Sequence, residues 1–330
     1  MNTPLISVIE PFYNCRQYIQ HATTSILNQT YSNFELILID DGSTDDTAAE
    51  ILKFNDKRIR LIRQENKGLA ESLNFGLKIA KGEFIARQDG DDISHPQRFE
   101  KQLDYFSKNK NTALVGTWSK IIDNDGKETG RFHKHPTEDL ELKFDLFFDN
   151  PFVHSSVMFR KEVIEKSGLY NTKIHSLVQD FEYWFRISRN YNIANIGEVL
   201  HEYREQKKSI SRITSDFGKI VAQQSFENMK PVLNEKEYNI AEHMAYLYHR
   251  SSGIHISKKM MKEFEKIILK LSDSLQSNDV KLKMKIITKH LYLLKMAIYG
   301  LSIQNVETLF MEKLYYKIKR RLLMAQQITS

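Results

Sequence analysis

The fold class predicted for this 330-residue chain is α/β: a largely parallel, Rossmann-like mixed sheet with helices on both faces, followed by a mainly α-helical C-terminal region. Three observations predict it. Short apolar runs alternate with helical patterns through the first part of the chain, as in sheets built from strand-helix-strand units. Polar, acid-rich clusters stand directly after several of those runs. From Ser215 onward nearly everything has helical spacing, with few glycines and only Pro231 as punctuation.

Strand candidates are Leu5 to Ile9, Glu35 to Ile39, Ile59 to Ile62, Glu83 to Ala86 and Ala113 to Gly116. Helices are expected between them at about Tyr18 to Asn28, Asp46 to Phe54, Leu69 to Ala80 and Gln97 to Lys108. Thr44, with Asp45 and Asp46, is placed to cap the second helix, and Gly82 to stop the third. Past Gly116 the pattern is mixed. Helices at Glu138 to Phe148 and Gln179 to Arg189 flank a short strand at Val157 to Phe159, and two more strand-like runs follow, Ile193 to Ile196 and Val199 to Tyr203. A boundary near Ile213 divides the chain into a sheet-bearing domain, 1–213, and a helical region, 214–330.

Composition narrows the function classes. Hydrophobic residues make up 41% of the chain, enough to bury a core. The single cysteine, Cys15, excludes an internal disulfide framework and a multi-cysteine zinc site, and fits a reducing, cytoplasmic setting. No signal peptide is expected before the first strand, and the most apolar late stretch, Met296 to Val306, is too short to span a membrane. Basic charge is concentrated late in the chain. From Ser251 to Ser330 there are 15 Lys and Arg against 6 Asp and Glu, a balance of +9, whereas the first 250 residues carry −3. Such a tail meets an acidic partner or surface, or simply presents solvated helix faces.

In open α/β sheets ligands bind beyond the carboxyl ends of the strands. Asp89-Gly90-Asp91-Asp92 follows the fourth strand candidate. Hard divalent cations such as Mg²⁺ and Mn²⁺ take one or two carboxylates together with substrate phosphates, an arrangement suited to a diphosphate leaving group. Alone, such a cluster reads first as an acidic turn capping the next helix. A second cluster, Asp40-Asp41-Gly42-Ser43-Thr44-Asp45, follows the second strand and would project onto the same rim. There an Asp can accept a hydrogen bond from a uracil imide or a ribose hydroxyl, while Ser43, Thr44 and Asp45 cap the following helix.

The runs Ser7-Val8-Ile9-Glu10-Pro11-Phe12-Tyr13-Asn14, Asp40 to Asp45, Asn66-Lys67-Gly68-Leu69-Ala70 and Asp89 to Asp92 resemble the successive motifs of family 2 glycosyltransferases, inverting enzymes with the GT-A fold. The resemblance covers about residues 4 to 205. It implies that Pro11, Tyr13 and Asp40 line the base and ribose pocket with Asp41 in support, and that Lys67 lies near that pocket or the diphosphate. Asp89 and Gly90 would contact the nucleotide-sugar, and Asp89 and Asp91 fall on the Asp-x-Asp positions, with Asp91 as the principal metal ligand. Asp180, in Gln179-Asp180-Phe181-Glu182-Tyr183-Trp184, falls in the family's acidic-aromatic motif and is implied to be the catalytic base. His154 resembles part of the segment under the acceptor site and takes a supporting role.

Trp118, Phe152 and Trp184 could stack on sugar rings, with core packing the expected use of at least two of them. Glu10 departs from the family, which ordinarily has an apolar residue there. It is expected either at the site rim, meeting Lys67 or Arg87, or as a mark of altered donor recognition.

The activity implied is transfer of a hexose or N-acetylhexosamine from a UDP-sugar to a hydroxyl of a glycan or lipid-linked glycan, in surface polysaccharide synthesis, with Mn²⁺ or Mg²⁺. A sugar nucleotidyltransferase, or a non-catalytic carbohydrate-binding protein of the same fold, is the alternative. The former should carry a Gly-rich basic loop after the first strand, which Pro11 to Arg16 is not. Val306, Phe310, Leu314, Ile318 and Leu322 form an amphipathic stripe in the basic tail. It suits either peripheral binding to the inner face of an anionic membrane or packing within the helices or in a homo-oligomer. No nucleic-acid partner is expected.

Overall fold

The computed structural model of the protein describes residues 3–206, 214–249, 258–275, 277 and 279–299. The chain forms two compact units, Met1–Asp139 with Pro151–Thr214, and Leu140–Asn150 with Ser215–Ser330. The stretch 140–150, on the sheet-bearing side of the boundary expected from sequence, therefore belongs with the later helices. Val306 to Leu322 lie outside the described residues.

The first unit is built on a nine-stranded sheet: β1 (Ile6–Phe12), β2 (Phe34–Asp40), β3 (Ile59–Arg63), β4 (Phe84–Arg87), β5 (Ile93–Ser94), β6 (Thr112–Ile122), β7 (Glu128–His133), β8 (Met158–Arg160) and β9 (Asn192–Arg204), in the order β3-β2-β1-β4-β8-β6-β9-β5, with β7 paired to β6. β3, β2, β1 and β4 run parallel, β8 is antiparallel to both neighbours, and β6 and β9 are parallel to each other. β1 is buried along its whole length because both of its faces are covered, which is why it is almost continuously apolar. Helices α1 (Ile19–Leu27) and α4 (Arg98–Lys108) send Ile19, Ile26, Phe99 and Phe106 against Val8, Phe12, Leu36 and Leu38. Each such buried side chain is worth about 1.5–3 kcal/mol. On the opposite face, Gly76 of α3 (Leu69–Ile79) sits directly on Ile9 and Ile39.

Register aligns Phe12 of β1 with Asp40 of β2, and Ile9 with Arg87 of β4. The residues leaving these three strands consequently emerge along one edge of the sheet.

Local differences from the expected elements have identifiable causes. The two runs 193–196 and 199–203 form one strand, β9, whose register against β6 shifts near Trp118 and thereby absorbs Gly197 and Glu198. β7 has almost no buried side chain, so no alternation marks it. α2 spans only Thr47–Ile51, and its first turn is capped by Asp45, whose Oδ1 accepts from Thr47 N at 3.0 Å. Thr44 instead bonds Asn14, so it does not act as the cap. Between β8 and β9 in the chain come α6 (Val163–Ser167) and α7 (Gln179–Ser188).

Glu10 is fully buried on the α1 side of the sheet, so the expected position at the rim beside Lys67 is not adopted. Its Oε1 accepts a long bond from Thr23 Oγ1 at 3.4 Å, and its Oε2 has no hydrogen-bond partner. Burial pushes its carboxyl up to about 8, only partly offset by Thr23 and by the buried Arg87. Near neutral pH the group is therefore held as the neutral acid. Because the folded state binds a proton that the unfolded state releases above pH about 4.5, the stability associated with Glu10 falls between pH about 4.5 and 8. Glu10→Gln, which stays neutral throughout, should be more stable than the parent by at least about 1 kcal/mol at pH 8, a few degrees in Tm, with the gap shrinking toward pH 5. Melting curves across that range check this, and a gap that does not change with pH would refute it.

The second unit contains α5 (Asp139–Asp145), whose first residue lies at the unit boundary, with α8 (Phe217–Met229), α9 (Glu235–Tyr248), α10 (Lys258–Ser274) and α11 (Val280–Tyr299). Its centre is polar as well as apolar. Asp145 accepts from His290 Nε2 at 2.8 Å and Lys289 Nζ at 2.8 Å, while the His290 ring packs on Phe144 and Phe148. Burial raises the Asp145 carboxyl, but His290 and Lys289 outweigh it and hold the group below its usual range. Ser225 and Asn228 of α8 donate to the Phe147 and Leu146 carbonyls. No helix among the described residues is long and apolar enough to cross a membrane.

Candidate active site

Two loops meet at the carboxyl ends of β1 and β2. Asn14, held at φ 48, accepts from Thr44 N at 2.8 Å and Asp45 N at 3.3 Å through its Oδ1, which stitches the Tyr13-Asn14 turn to the Asp41–Asp45 loop. Asp41 organises the next motif. Its Oδ1 accepts from Gln64 Nε2 at 2.7 Å and Lys67 N at 3.0 Å, and its Oδ2 from Gly68 N at 2.9 Å. Gly42 is required at this crossing: its φ is +78, and a Cβ there would lie 2.7 Å from Asn66 N.

Tyr13 is 49% exposed, Lys67 is exposed, and Pro11 is buried within β1. Asp40 is fully enclosed, accepting from Ser43 N at 2.8 Å and Arg63 Nε at 3.0 Å. A base or ribose can reach that carboxylate only if Arg63, whose side chain is 65% exposed, turns aside.

The acidic loop follows β4. Arg87, buried, donates from Nη2 to Asp89 Oδ1 at 2.5 Å and so aims the partly exposed Asp89 carboxylate. Gly90 packs where a Cβ would come within 3.0 Å of Cys15 Sγ and of Phe12 Cβ, which holds the loop tight against β1 and α1. Asp91 accepts from Gln206 Nε2 at 2.5 Å, and its carbonyl accepts from Arg204 Nε at 2.8 Å. Asp92 faces inward: Arg204 N donates to its Oδ1 at 2.7 Å, and Ser155 Oγ donates to its Oδ2. Asp92 thus fixes the loop.

Burial, reinforced by the charge of Asp89, pushes the Asp91 carboxyl above the usual carboxylate range, and Asp92 is raised by burial and by both neighbouring aspartates. A half-dry cluster of like charge is relieved by a cation. Among the described residues there is no set of three or more His, Cys, Asp and Glu side chains able to hold a metal by themselves. The hard oxygens of Asp89 and Asp91 therefore fit the pattern in which one or two carboxylates share a cation with substrate phosphates and water. A cleft of about 610 Å³ opens alongside, lined by Asn14, Cys15, Tyr18, Asp45 and Gln206 among others.

Asp180 is half-buried at the second position of α7, its Oδ1 accepting from Phe181 N at 2.8 Å. The Tyr170 phenol is raised first by burial and then by Tyr183, with the positive charge of Arg87 opposing the shift. His154 Nε2 lies 3.2 Å from Tyr170 Oη and is kept neutral by burial and Arg87. Trp184 is fully buried among Phe152, His154, Phe159, Tyr170 and Tyr183, with its Nε1 unpartnered. No face of that indole is open to a sugar, so of the two uses weighed for it, stacking on a sugar or core packing, it takes packing behind His154. Phe152 is likewise buried, whereas Trp118 is half-exposed and donates from Nε1 to the His135 carbonyl at 2.8 Å.

Arg204, Gln206 and Tyr170 were not among the residues expected from sequence, and Arg87 was named there only as a partner for Glu10. Arg87 ends β4, Arg204 ends β9 and Gln206 lies two residues further on, where the carboxyl-end rule could have found them. Tyr170 carries no local signal, since only folding brings it to His154.

A site of this kind, at the carboxyl ends of β1, β2 and β4, defines an α/β protein with an acidic working edge, and comparison with known proteins specifies it. The model of glycosyl transferase family 2 matches residues 7–168. The O-antigen biosynthesis glycosyltransferase WbnJ of Escherichia coli is 36% identical over 214 residues, covering 63% of this chain and 82% of that protein. A protein of Haemophilus influenzae named as an uncharacterized glycosyltransferase is 36% identical over 213 residues, covering 62% of this chain and 66% of its own length. Among solved structures, Staphylococcus aureus TarS 1-349 in complex with UDP-GlcNAc superposes with a TM-score of 0.59 at 17% identity, covering 89% of this chain and 90% of that one. The mannosyltransferase PcManGT of Pyrobaculum calidifontis, in complex with GDP-Man and Mn²⁺, gives 0.53 at 15% identity, covering 90% and 88%. At such identities the likeness is one of fold. The chain belongs to glycosyl transferase family 2 and is a glycosyltransferase with the GT-A fold.

Proposed function

We propose that this enzyme transfers a hexose or N-acetylhexosamine from a UDP-sugar to a hydroxyl of a glycan or lipid-linked glycan, with inversion, in the synthesis of a surface polysaccharide. The observation that carries this reading is the alignment of β1, β2 and β4, which delivers Tyr13, Asp41 with Lys67, and Asp89 with Asp91 to one rim. The UDP-GlcNAc bound by TarS, and WbnJ's place in O-antigen biosynthesis, support the donor and product classes.

Tyr13 and the Asp40–Asp41 loop receive the nucleoside, with Lys67 beside the diphosphate. Asp91 and Asp89 would hold a divalent cation, Mn²⁺ or Mg²⁺, which when bound would offset charge on the departing diphosphate. Arg87 keeps Asp89 directed, while Gln206 and Arg204 hold Asp91 from behind. Asp180 takes the acceptor proton, so that the oxygen attacks the anomeric carbon from the side opposite the leaving group and an α-linked donor gives a β-linked product. His154 and Tyr170, packed together, take a supporting role.

The test is a screen of UDP- and GDP-sugars by nucleoside diphosphate release, followed by mass analysis of the product. Release from UDP-hexoses or UDP-N-acetylhexosamines with a matching mass gain on a glycan is expected, and release from GDP-sugars alone would refute the donor class. The +9 balance of residues 251–330 favours peripheral attachment to anionic membrane, where a lipid-linked acceptor is found. Flotation with anionic but not neutral vesicles, reversed by salt, is the expected result. Equal behaviour with both would favour an oligomer contact.

A further inference from the structure

On one face of the β6, β7 and β9 ribbon, side chains run in a row away from the acidic loop. His201 Nε2 lies 3.6 Å from Asp92 Oδ2, and its Nδ1 lies 3.1 Å from Ser119 Oγ. Ser119 pairs with His133 of β7 on its other side, and Tyr203 stands two residues beyond His201 on the same face of β9. His201 and Ser119 are buried, but His133, Tyr203 and His135 are only partly covered. The Tyr203 ring meets His133 edge-on at 5.3 Å and 81°, and His135 lies parallel to His133 at 5.9 Å and 8°. The more exposed Phe132 and the Lys134 ammonium above it belong to the opposite face.

We propose that His133, His135 and Tyr203 form a binding subsite for a pyranose ring of the acceptor glycan. This rests on the transferase reading above and adds where the acceptor lies. A sugar presents both an apolar C–H face and a ring of hydroxyls. Imidazole and phenol side chains match that pairing, offering a flat face with N or O atoms at its edge, whereas an aliphatic patch would suit an acyl chain or an apolar helix. Burial lowers the His133 pKa, so the ring is a neutral donor and acceptor rather than a cation that would call for an anionic partner. The row also begins beside the acidic loop, because two residues near Tyr203 in β9 are close to Asp92: Arg204, the next residue, through its amide, and His201, two residues before, through its ring.

The experiment uses the full chain and its His133→Ala, His135→Ala and double variants, with p-nitrophenyl glycosides as the acceptor probes. Three quantities are read: UDP affinity by calorimetry with Mn²⁺, the rate of UDP release to water without acceptor, and KM for the glycoside. The double variant is expected to keep UDP affinity and the water rate within about two-fold of the parent while the acceptor KM rises about tenfold or more. An unchanged acceptor KM in the double variant overturns the subsite. In parallel, the imidazole resonances of the parent are followed as the glycoside is added, and shifts confined to His133 and His135 support it. Failure of the parent to bind UDP would overturn the transferase reading instead. The imidazole shifts then decide the subsite alone, and their absence overturns it.

Discussion

Asp180→Asn should lower the transfer rate by about 10²- to 10⁴-fold, the usual contribution of a general base, while UDP affinity stays within about two-fold of the parent. The amide has nearly the same shape and can still accept from Phe181 N, the bond that Asp180 Oδ1 makes at 2.8 Å, so the first turn of α7 is preserved. What disappears is the ability to take a proton from the acceptor hydroxyl as it attacks. That interaction is made only as the transition state is reached, so kcat falls with little change in ground-state donor binding. Measuring UDP affinity and transfer in one preparation separates the two quantities. A variant that retains near-normal transfer would remove Asp180 from the mechanism, leaving its carboxylate the ordinary role of an acid in the first turn of a helix.

Asp91→Asn is expected to weaken UDP binding in the presence of Mn²⁺ at least as much as the loss of a metal's surrounding partners does, about 10- to 100-fold, and to reduce turnover with it. Asp91 carries a charge that burial and Asp89 make unfavourable in the free protein and that a cation would relieve. Asparagine keeps the size but removes the charge, and the Gln206 amide then faces another amide where it met a carboxylate at 2.5 Å. Calorimetric titration of UDP with and without Mn²⁺, for parent and variant, gives the comparison. The parent should require the metal, and the variant should bind similarly in both conditions. Equal UDP affinity of the parent with and without Mn²⁺ would overturn the metal assignment.

The order and type of the main elements were legible in the sequence, because a parallel sheet covered on both faces writes itself as apolar runs of strand length separated by amphipathic helices. Ile6–Phe12 and Phe34–Asp40 are two such strands, and the acidic clusters after β2 and β4 are legible as polar turns at the carboxyl ends of their strands. What is local in sequence, a strand followed by a polar turn, was therefore readable. Tertiary structure alone decided which side chains of those clusters face inward and which reach the rim. Asp92 and Asp40 stand beside Asp91 and Asp41 in sequence, yet the first turns in to Ser155 and Arg204 and the second is closed over by Arg63. Trp184 and Glu10 read as site residues by type and motif, but the helix phase of α7 sends the first into the core, and β1, covered on both faces, buries the second. Gln206 and Arg204 come from more than a hundred residues away to hold Asp91, and the ring row of His133, His135 and Tyr203 exists only because β7 folds back on β6 beside β9. The physical reason is common to all of these: periodicity specifies which element a residue occupies, whereas its partners depend on strand order and register, which bring distant segments into contact and leave no trace in the neighbouring sequence.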